Sequence, residues 1–377
     1  MVLLGSTGGP ACAEGLTVSG VLDSSLALGA GTGELPDFFY GAEEYANLRV
    51  QGKLREGLSF YSAFTMIAAA GTFAQSLSAL ESPAVRAASP QYAGTIELER
   101  LYFRLNREYL DIDGGLLRIA AGYGQVFGPS DFLNPKNPLK PDARPRAVLG
   151  GTLAAYPADA LKVQVFAAAP KDPFALDGGG FLGGICGERH GDRASIQGIY
   201  AYESPQEGSR WGVHRAGFSL KGDVILGLVA DVLYTYNPEG EFGLPGLSAS
   251  GGFDYSFLEG RWYVLAEYLY NGSASSTSVK SGNPTGFSGE HFLYGAVQYL
   301  VNDYTSLTLA CLSCLQDASF TPILQGEHEL IQGFTLIMAA QAPLDGDVLF
   351  GDGSRGELGP ENRQARFLFT LKARLRF

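Results

Sequence analysis

The last fifteen residues, 363–377, read RQARFLFTLKARLRF. In an extended strand, successive side chains point to opposite faces. One face of this stretch carries Phe367, Phe369, Leu371, Ala373, Leu375 and Phe377, and the other carries Arg366, Leu368, Thr370, Lys372, Arg374 and Arg376. The stretch therefore predicts a strand with one face against an apolar environment and the other against water, as at the edge of a soluble sandwich or in the wall of a membrane barrel.

The rest of the chain repeats this alternation and favours the membrane barrel. Short turns alternate with long polar loops, which we place near residues 30–40, 73–93, 128–146, 237–248, 273–289 and 343–363. Transmembrane barrels have this asymmetry of loop length. Among the short turns we count DIDGG, at residues 111–115.

The alternating segments predict sixteen strands. They are 16–29, 42–55, 58–71, 94–109, 116–127, 146–156, 160–169, 210–220, 223–236, 249–258, 261–272, 290–301, 303–316, 320–331, 334–342 and 364–377. The strand-like segment 194–204 is assigned to an outer loop over 170–209, because adding it alone would break the even parity of such barrels. The sequence thus predicts an all-β fold, a single antiparallel transmembrane barrel over 14–377, with 14 or 18 strands left open.

Composition agrees with a chain of many strands and turns. The 377 residues include 51 Gly, 23 Phe and 19 Tyr, and the formal net charge is −12. That acidic total excludes a nucleic-acid partner, because phosphate binding needs a basic surface. No run approaches the ~20 apolar residues of a membrane-spanning helix.

The N-terminus predicts export. Ala11-Cys12-Ala13 fits a signal-peptidase site, so we expect residues 1–13 to be the remnant of a signal peptide. The first basic residue is Arg49, which indicates a true start upstream of Met1. The alternative is that Cys12 is a lipidated cysteine.

Residues for catalysis or metal binding are not arranged in any motif. The four cysteines show no metal or disulfide pattern, and the four histidines form no HExxH arrangement. No GxSxG nucleophile elbow is present. We therefore expect no enzymatic activity, no cofactor and no metal, although a serine and a histidine on neighbouring strands could still meet in space.

Residues 122–135 carry a partial motif. The run Gly122-Tyr123-Gly124-Gln125-Val126-Phe127-Gly128 is followed by Asp131 and Asn134-Pro135. It resembles a run in a broad group of Gram-negative and spirochaete outer-membrane porins, with Gly124 in place of the usual Arg and Phe127 in place of the usual Trp. The match covers about a tenth of the chain. The terminal Phe377 is similar to the signal that the barrel-assembly machinery reads in outer-membrane barrels.

The resemblance implies that loop 128–146 folds into the pore. Its charged residues are then candidates for the constriction: Asp131, Lys136, Lys140, Asp142, Arg144 and Arg146. The alternative is that these charges only solvate an outer loop. The polar faces of the strands supply candidate pore-lining cations: Arg49, Lys53, Arg55, Arg100, Arg104, Lys372, Arg374 and Arg376.

The sequence therefore predicts an outer-membrane porin through which small hydrophilic, mainly anionic, solutes diffuse. Its expected partners are outer-membrane lipids, those solutes and the assembly machinery, and a homotrimer stays open. Two alternatives remain: a barrel that carries hydrophobic substrates or serves surface binding, and a soluble all-β binding protein.

Overall fold

The computed structural model describes most of the chain. The described residues are 15–31, 38–71, 73–74, 85–88, 91–134, 136, 138–139, 147–169, 180–205, 211–238, 243–272, 287–346, 348, 356–359 and 365–377. Within them, no helix has the length and apolar character needed to cross a bilayer.

The described residues form nineteen strands. The first ten are β1 (Thr17–Ala30), β2 (Phe38–Arg55), β3 (Leu58–Gly71), β4 (Val85–Ala88), β5 (Tyr92–Arg107), β6 (Leu110–Leu117), β7 (Val148–Ala158), β8 (Leu161–Ala169), β9 (Leu182–His190) and β10 (Ala194–Glu203). The other nine are β11 (Val213–Asp223), β12 (Gly227–Tyr236), β13 (Leu247–Phe257), β14 (Trp262–Asn271), β15 (His291–Asn302), β16 (Thr305–Cys314), β17 (Phe320–Ile331), β18 (Phe334–Gln341) and β19 (Phe367–Arg376).

Eighteen of these strands close into a barrel. Each pairs antiparallel with its neighbours in chain order, and β1 pairs with both β2 and β19, so the wall has no free edge. The remaining strand, β4, pairs only with residues 93–96 of β5, while β3 pairs directly with β5. The terminal Phe377 completes the seam, since its N–H donates to the Gly20 carbonyl at 3.1 Å and its carbonyl accepts from the Gly20 N–H at 2.8 Å.

The register separates an apolar outer face from a polar inner face. Leu26, Leu28 and Leu309 lie on the outer face and are 57%, 58% and 59% exposed. Asp231 and Glu267 lie on the inner face and are 0% and 1% exposed. A sheet closed on itself forces this division, because side chains alternate between the two sides of each strand.

The prediction of a closed antiparallel barrel is confirmed, but the count of sixteen strands is wrong and eighteen is correct. The difference is the hairpin of β9 and β10, which we had placed in an outer loop. Both strands belong to the wall, and because they come as a pair they preserve the even parity. Glycines at 183, 184 and 187 hid the alternation of β9.

The predicted strand 116–127 is also wrong. The wall strand β6 is Leu110–Leu117, and the turn before it is at 108–109 rather than at 111–115. Asp111 and Asp113 belong to this strand as inward-facing residues that pair with β5 and β7. Asp and Gly are typical turn residues, so their combination concealed a strand with a polar inner face.

Candidate functional site

The chain leaves the wall after Leu117 and rejoins it at Val148. Residues 118–134 between these points, which we call the inward segment, bond to inner-face side chains of β9, β10, β12 and β14. These strands lie along one half of the barrel. The inward segment therefore crosses the interior and rests on that half of the wall.

Glu267 on β14 anchors the middle of the inward segment. Its carboxylate accepts backbone N–H bonds from Gln125 at 3.1 Å, Val126 at 2.9 Å and Phe127 at 2.9 Å. The side chain of Gln125 adds bonds to Asp254 at 2.7 Å and from Tyr263 at 3.1 Å. A buried carboxylate needs several donors, and the segment supplies three that would otherwise have no partner.

A second buried carboxylate anchors the next turn of the segment. Asp231 on β12 accepts hydrogen bonds from Ser130 and, at 2.9 Å, from Ser219 on β11. Gly122 lies beside it, and a Cβ built there would come within 2.5 Å of the Asp231 carboxylate. Gly122 also has a φ of +80°, so both its conformation and this close approach require glycine.

Asp131 organises the inward segment from within. Its carboxylate accepts bonds from the Ala121 N–H at 3.2 Å and the Asn134 amide at 2.8 Å, and lies 3.5 Å from the Arg118 guanidinium. Burial raises the pKa of Asp131, and the bonds from Asn134 and Ala121 oppose that rise. We had predicted Asp131 as a charge facing the channel. Its side chain instead is 3% exposed and holds the segment's fold.

Phe127 ties the segment to the loops at the long-loop end of the barrel. It packs edge-on against Phe287, with ring centroids 6.1 Å apart, in a cluster that includes Leu269 and Leu358. Leu358 is fully buried, and the adjacent Glu357 carboxylate accepts the Ser288 N–H at 2.7 Å. The position of the segment is thus coupled to residues 287–290 and 356–359.

A cavity of about 280 Å³ lies between the start of the inward segment and the inner faces of β8, β9 and β10. Three cations line it: Arg118, Lys136 and Lys162. Its two carboxylates are engaged, Asp131 as above and Glu188 by the Tyr123 hydroxyl at 2.6 Å. Burial raises the pKa of Tyr123, and Glu188 raises it further, so the hydroxyl stays a neutral donor.

The predicted constriction residues divide into two groups. Asp131 and Lys136 are in the described part, and the Lys136 ammonium lines the cavity while donating to the Gly124 carbonyl. The other four, Lys140, Asp142, Arg144 and Arg146, lie outside the described residues.

The predicted wall cations are on the strands where the sequence placed them, but several have carboxylate partners, and two of these pairs are bidentate. Arg374 forms a bidentate pair with Asp23 across the β1–β19 seam, with both distances 2.9 Å. Arg104 pairs with Asp113 at 2.7 and 2.8 Å and lies over the ring of Tyr102 at 5.6 Å. Arg374 and Arg104 therefore add little net charge to the lumen.

The other wall cations differ in their surroundings. Arg100 lies 3.7 Å from Glu99, and Arg49 donates to the Asn47 side chain at 2.8 Å. Arg55 and Lys53 lie at the end of β2, and Lys372 and Arg376 lie on β19. In register, Lys372 faces Ser25 and Arg376 faces Val21.

Sequence reasoning missed the residues that hold the segment and line the cavity. Lys162 lies on the inner face of β8, inside the strand predicted at 160–169, and Arg118 directly follows β6, where the sequence predicted a strand over 116–127. Asp231 and Glu267 are each the one acidic residue of an otherwise apolar strand. A single acid in such a strand was the sequence signal that could have marked them as functional candidates.

Comparisons with known proteins support the fold. No known family profile matches the sequence, and no curated protein sequence matches it. The structure is similar to that of a BenF-like porin from Pseudomonas fluorescens Pf-5, with a TM-score of 0.59, 11% identity, and coverage of 97% of this chain and 99% of that one.

Two further structures are similar over nearly their full length. OccAB3 of Acinetobacter baumannii has a TM-score of 0.58 at 9% identity, covering 96% of this chain and 99% of that one. OccK2 (OpdF) of Pseudomonas aeruginosa, solved in complex with glucuronate, has a TM-score of 0.56 at 10% identity and covers 96% of each chain.

Proposed function

We propose that the protein is an outer-membrane porin, a water-filled channel for the passive diffusion of small hydrophilic solutes with a preference for anions. The observation that carries the proposal is a closed barrel, apolar outside and polar inside, whose lumen is crossed by an inward segment with cations beside it. The proposed role is transport without catalysis.

The outer face supports a membrane location. Large apolar side chains are exposed around the whole wall, from Leu26 on β1 through Phe103 on β5 and Phe218 on β11 to Leu309 on β16. A water-soluble protein rarely exposes an apolar patch beyond a few hundred Å². A closed barrel satisfies every backbone group of its wall, which a bilayer requires.

The inward segment supports a selective channel. Because the inward segment is bonded to β9, β10, β12 and β14, it narrows that half of the lumen. Its anchors are buried carboxylates and not flexible surface contacts, so the narrowing is built into the resting structure. A solute in the narrowed half of the lumen must pass Arg118, Lys136 and Lys162, which lie beside the inward segment.

The local charge supports a preference for anions. Arg118, Lys136 and Lys162 converge on one cavity, and Lys53 and Lys372 project from the opposite strands. Within a narrow lumen such charges act at short range and in lower dielectric. Charges on the outer loops are screened over about 8 Å at physiological salt, so the total of −12 does not decide selectivity.

The same proposal extends to export and assembly. It treats residues 1–13 as the remnant of an export signal and Phe377 as the residue that the assembly machinery reads. The backbone bonds of Phe377 at the seam support a role at the last step of closure.

Bilayer recordings test the function. We expect discrete conductance steps, and in a KCl gradient a reversal potential on the anion side. The double variant Arg118→Gln/Lys162→Gln should move that potential toward cations by several millivolts. A matched control is Arg189→Gln/Arg261→Gln, because Arg189 lies on the outer face of β9 and Arg261 lies in a turn. This control should leave the reversal potential unchanged. Absence of conductance, or equal shifts in both variants, would contradict the proposal.

A further inference from the structure

The cavity beside the inward segment lies against a polar row of the inner face. In register, Lys162 of β8 lies opposite Glu188 of β9, and Glu188 lies opposite Gln197 of β10. Gln164 is the next inward-facing residue of β8 and also lines the cavity. The wall of the cavity is therefore built from three neighbouring strands, and their backbone pairing fixes the spacing of these side chains.

The opposite side of the cavity is formed by the inward segment and the chain that follows it. Arg118 comes from the start of the segment and Lys136 from beyond its end, so two separate points of the chain supply these cations. Together with Lys162 they bring three cations to one space of about 280 Å³. Pockets for drug-sized ligands have volumes of about 300–1,000 Å³, so this cavity has room for a small solute.

The two carboxylates of the cavity take most of their hydrogen bonds from neutral groups. Asp131 accepts one backbone N–H and one amide bond, and its distance to the Arg118 guanidinium is 3.5 Å. Glu188 accepts the Tyr123 hydroxyl at 2.6 Å and lies 3.5 Å from the Nε2 atom of His190. The cations of the cavity therefore keep most of their hydrogen-bonding capacity for a ligand.

Several donors that line the cavity have no partner within the described residues. Lys162 forms no ion pair there, and the side chain of Gln164 forms no hydrogen bond. The Nε atom of Arg118 is buried without a hydrogen-bond partner. Gln197 is 7% exposed, and it accepts the Gly122 N–H through its carbonyl oxygen while its amide nitrogen has no partner in the described chain. Because a buried donor without an acceptor is unfavourable, the cavity suits a ligand rich in acceptor oxygens.

The number and the spread of these donors favour a phosphoryl group over a carboxylate. A carboxylate has two oxygens with about four acceptor positions in one plane. A phosphoryl group has three strong acceptor oxygens and a charge of about −1.5 to −2 at pH 7. Arg binds phosphate through paired N–H bonds, and Lys binds it as a point charge. Donors from the segment and from the wall can then bond to different oxygens of one ligand.

We propose that this cavity binds the phosphoryl group of a small solute, either inorganic phosphate or a phosphate monoester. Arg118 and Lys136 contact the group from the side of the inward segment. Lys162, Gln164 and Gln197 contact it from the wall, so the bound group bridges the two. The inference rests on the proposed function, since the ligand is a solute that enters the lumen, and it names the chemical class of anion that is bound there.

The test is block of the channel in planar bilayers by three probes: inorganic phosphate, glucose 6-phosphate and gluconate, a carboxylate of similar size to glucose 6-phosphate. At constant ionic strength in KCl, at least one phosphorylated probe should reduce the conductance at a concentration at least tenfold lower than gluconate does. The stronger blocker of the two identifies the free or the esterified form as the preferred ligand. Isothermal titration calorimetry of the protein in detergent measures the same affinities without conduction.

Two variants locate the site. Lys162→Gln removes a charged donor and should raise the half-blocking concentration of phosphate at least tenfold. Gln164→Leu removes only a neutral donor and should raise that concentration about three- to tenfold, while the reversal potential in a KCl gradient stays unchanged. The control Arg189→Gln removes a cation from the outer face of β9 and should leave the block unchanged. Heat-modifiable migration in gels verifies that each variant is folded.

The outcomes separate this site from the channel function. Phosphate binding in calorimetry without any conductance would contradict the proposed function and support the site. An open channel that neither phosphorylated probe blocks or binds would overturn the site alone. The proposal is also overturned if gluconate binds as tightly as both phosphorylated probes, or if block by phosphate is unchanged in Lys162→Gln.

Discussion

The anchoring of the inward segment by Glu267 gives the sharpest prediction. In Glu267→Gln the side chain keeps its size but loses its charge and one acceptor oxygen. Three backbone N–H groups, from Gln125, Val126 and Phe127, then compete for one carbonyl oxygen. We expect the segment to detach from β14 far more often, while the wall stays intact because the backbone pairing of β14 does not use this side chain.

The magnitude follows from the bonds that are lost. A hydrogen bond to a charged group contributes about 1.5–3 kcal/mol, and a buried N–H without a partner costs about 1–3 kcal/mol. Loss of one bond and weakening of the others together reduce the docking free energy by roughly 2–4 kcal/mol. At 1.4 kcal/mol per factor of ten, the detached population rises about 30- to 1000-fold.

Two measurements check this prediction. Hydrogen exchange should accelerate at the amides of Gln125 to Phe127, and single-channel recordings should show larger or noisier conductance steps. The control is Asp254→Asn, which alters only the bond to the Gln125 side chain and should change both readouts little. Unchanged exchange and unchanged conductance in Glu267→Gln would show that the segment is held by its apolar contacts instead.

Two further predictions concern the wall and a loop. Leu309→Arg, at a lipid-facing position, should lower the free energy of unfolding from bilayers by about 2–4 kcal/mol, whereas Thr308→Arg, its lumen-facing neighbour, should have a much smaller effect; equal losses in urea titrations would show that the faces are misassigned. Burial alone would raise the pKa of Asp317, but bonds from Ser319 and the Glu357 N–H outweigh it, so the pKa falls below the ordinary 3.8. The ionised Asp317 carboxylate therefore stabilises the loop above pH 3.8, and that stability is lost as the pH falls through the lower pKa of the folded protein. The hydrogen-exchange protection of the Glu357 amide, which donates to Asp317, should fall in the same pH range. A protection factor that stays constant there would refute this prediction.

The alternation of residues 367–377 was sufficient to predict β19 and, repeated along the chain, the barrel. A period of two with one apolar face is a local property, so each strand can be predicted from its own sequence without reference to its neighbours in the sheet. The even number of strands and the alternation of short turns with long loops then predicted that the sheet closes into a barrel. The same logic failed for β9, because Gly183, Gly184 and Gly187 remove the side chains that show the period.

The sequence pattern also misled where the role of a polar residue depends on its bonding partner. Asp113 was interpreted as a turn residue because the Asp-Gly pattern does not show that its carboxylate pairs with Arg104 across the β5–β6 hairpin, 2.7 Å away. Asp131 was expected to face the channel because the pattern of a charged loop does not reveal that three donors surround its carboxylate.

The fold class was therefore determined by the sequence alone, and the arrangement inside the barrel by tertiary structure. Strand periodicity is a property of neighbouring residues and can be read along one chain. The site depends on pairs such as Glu267 with Val126, which are 141 residues apart. Their meeting is decided by closure of the sheet and by the need to satisfy buried charge, and both act through space.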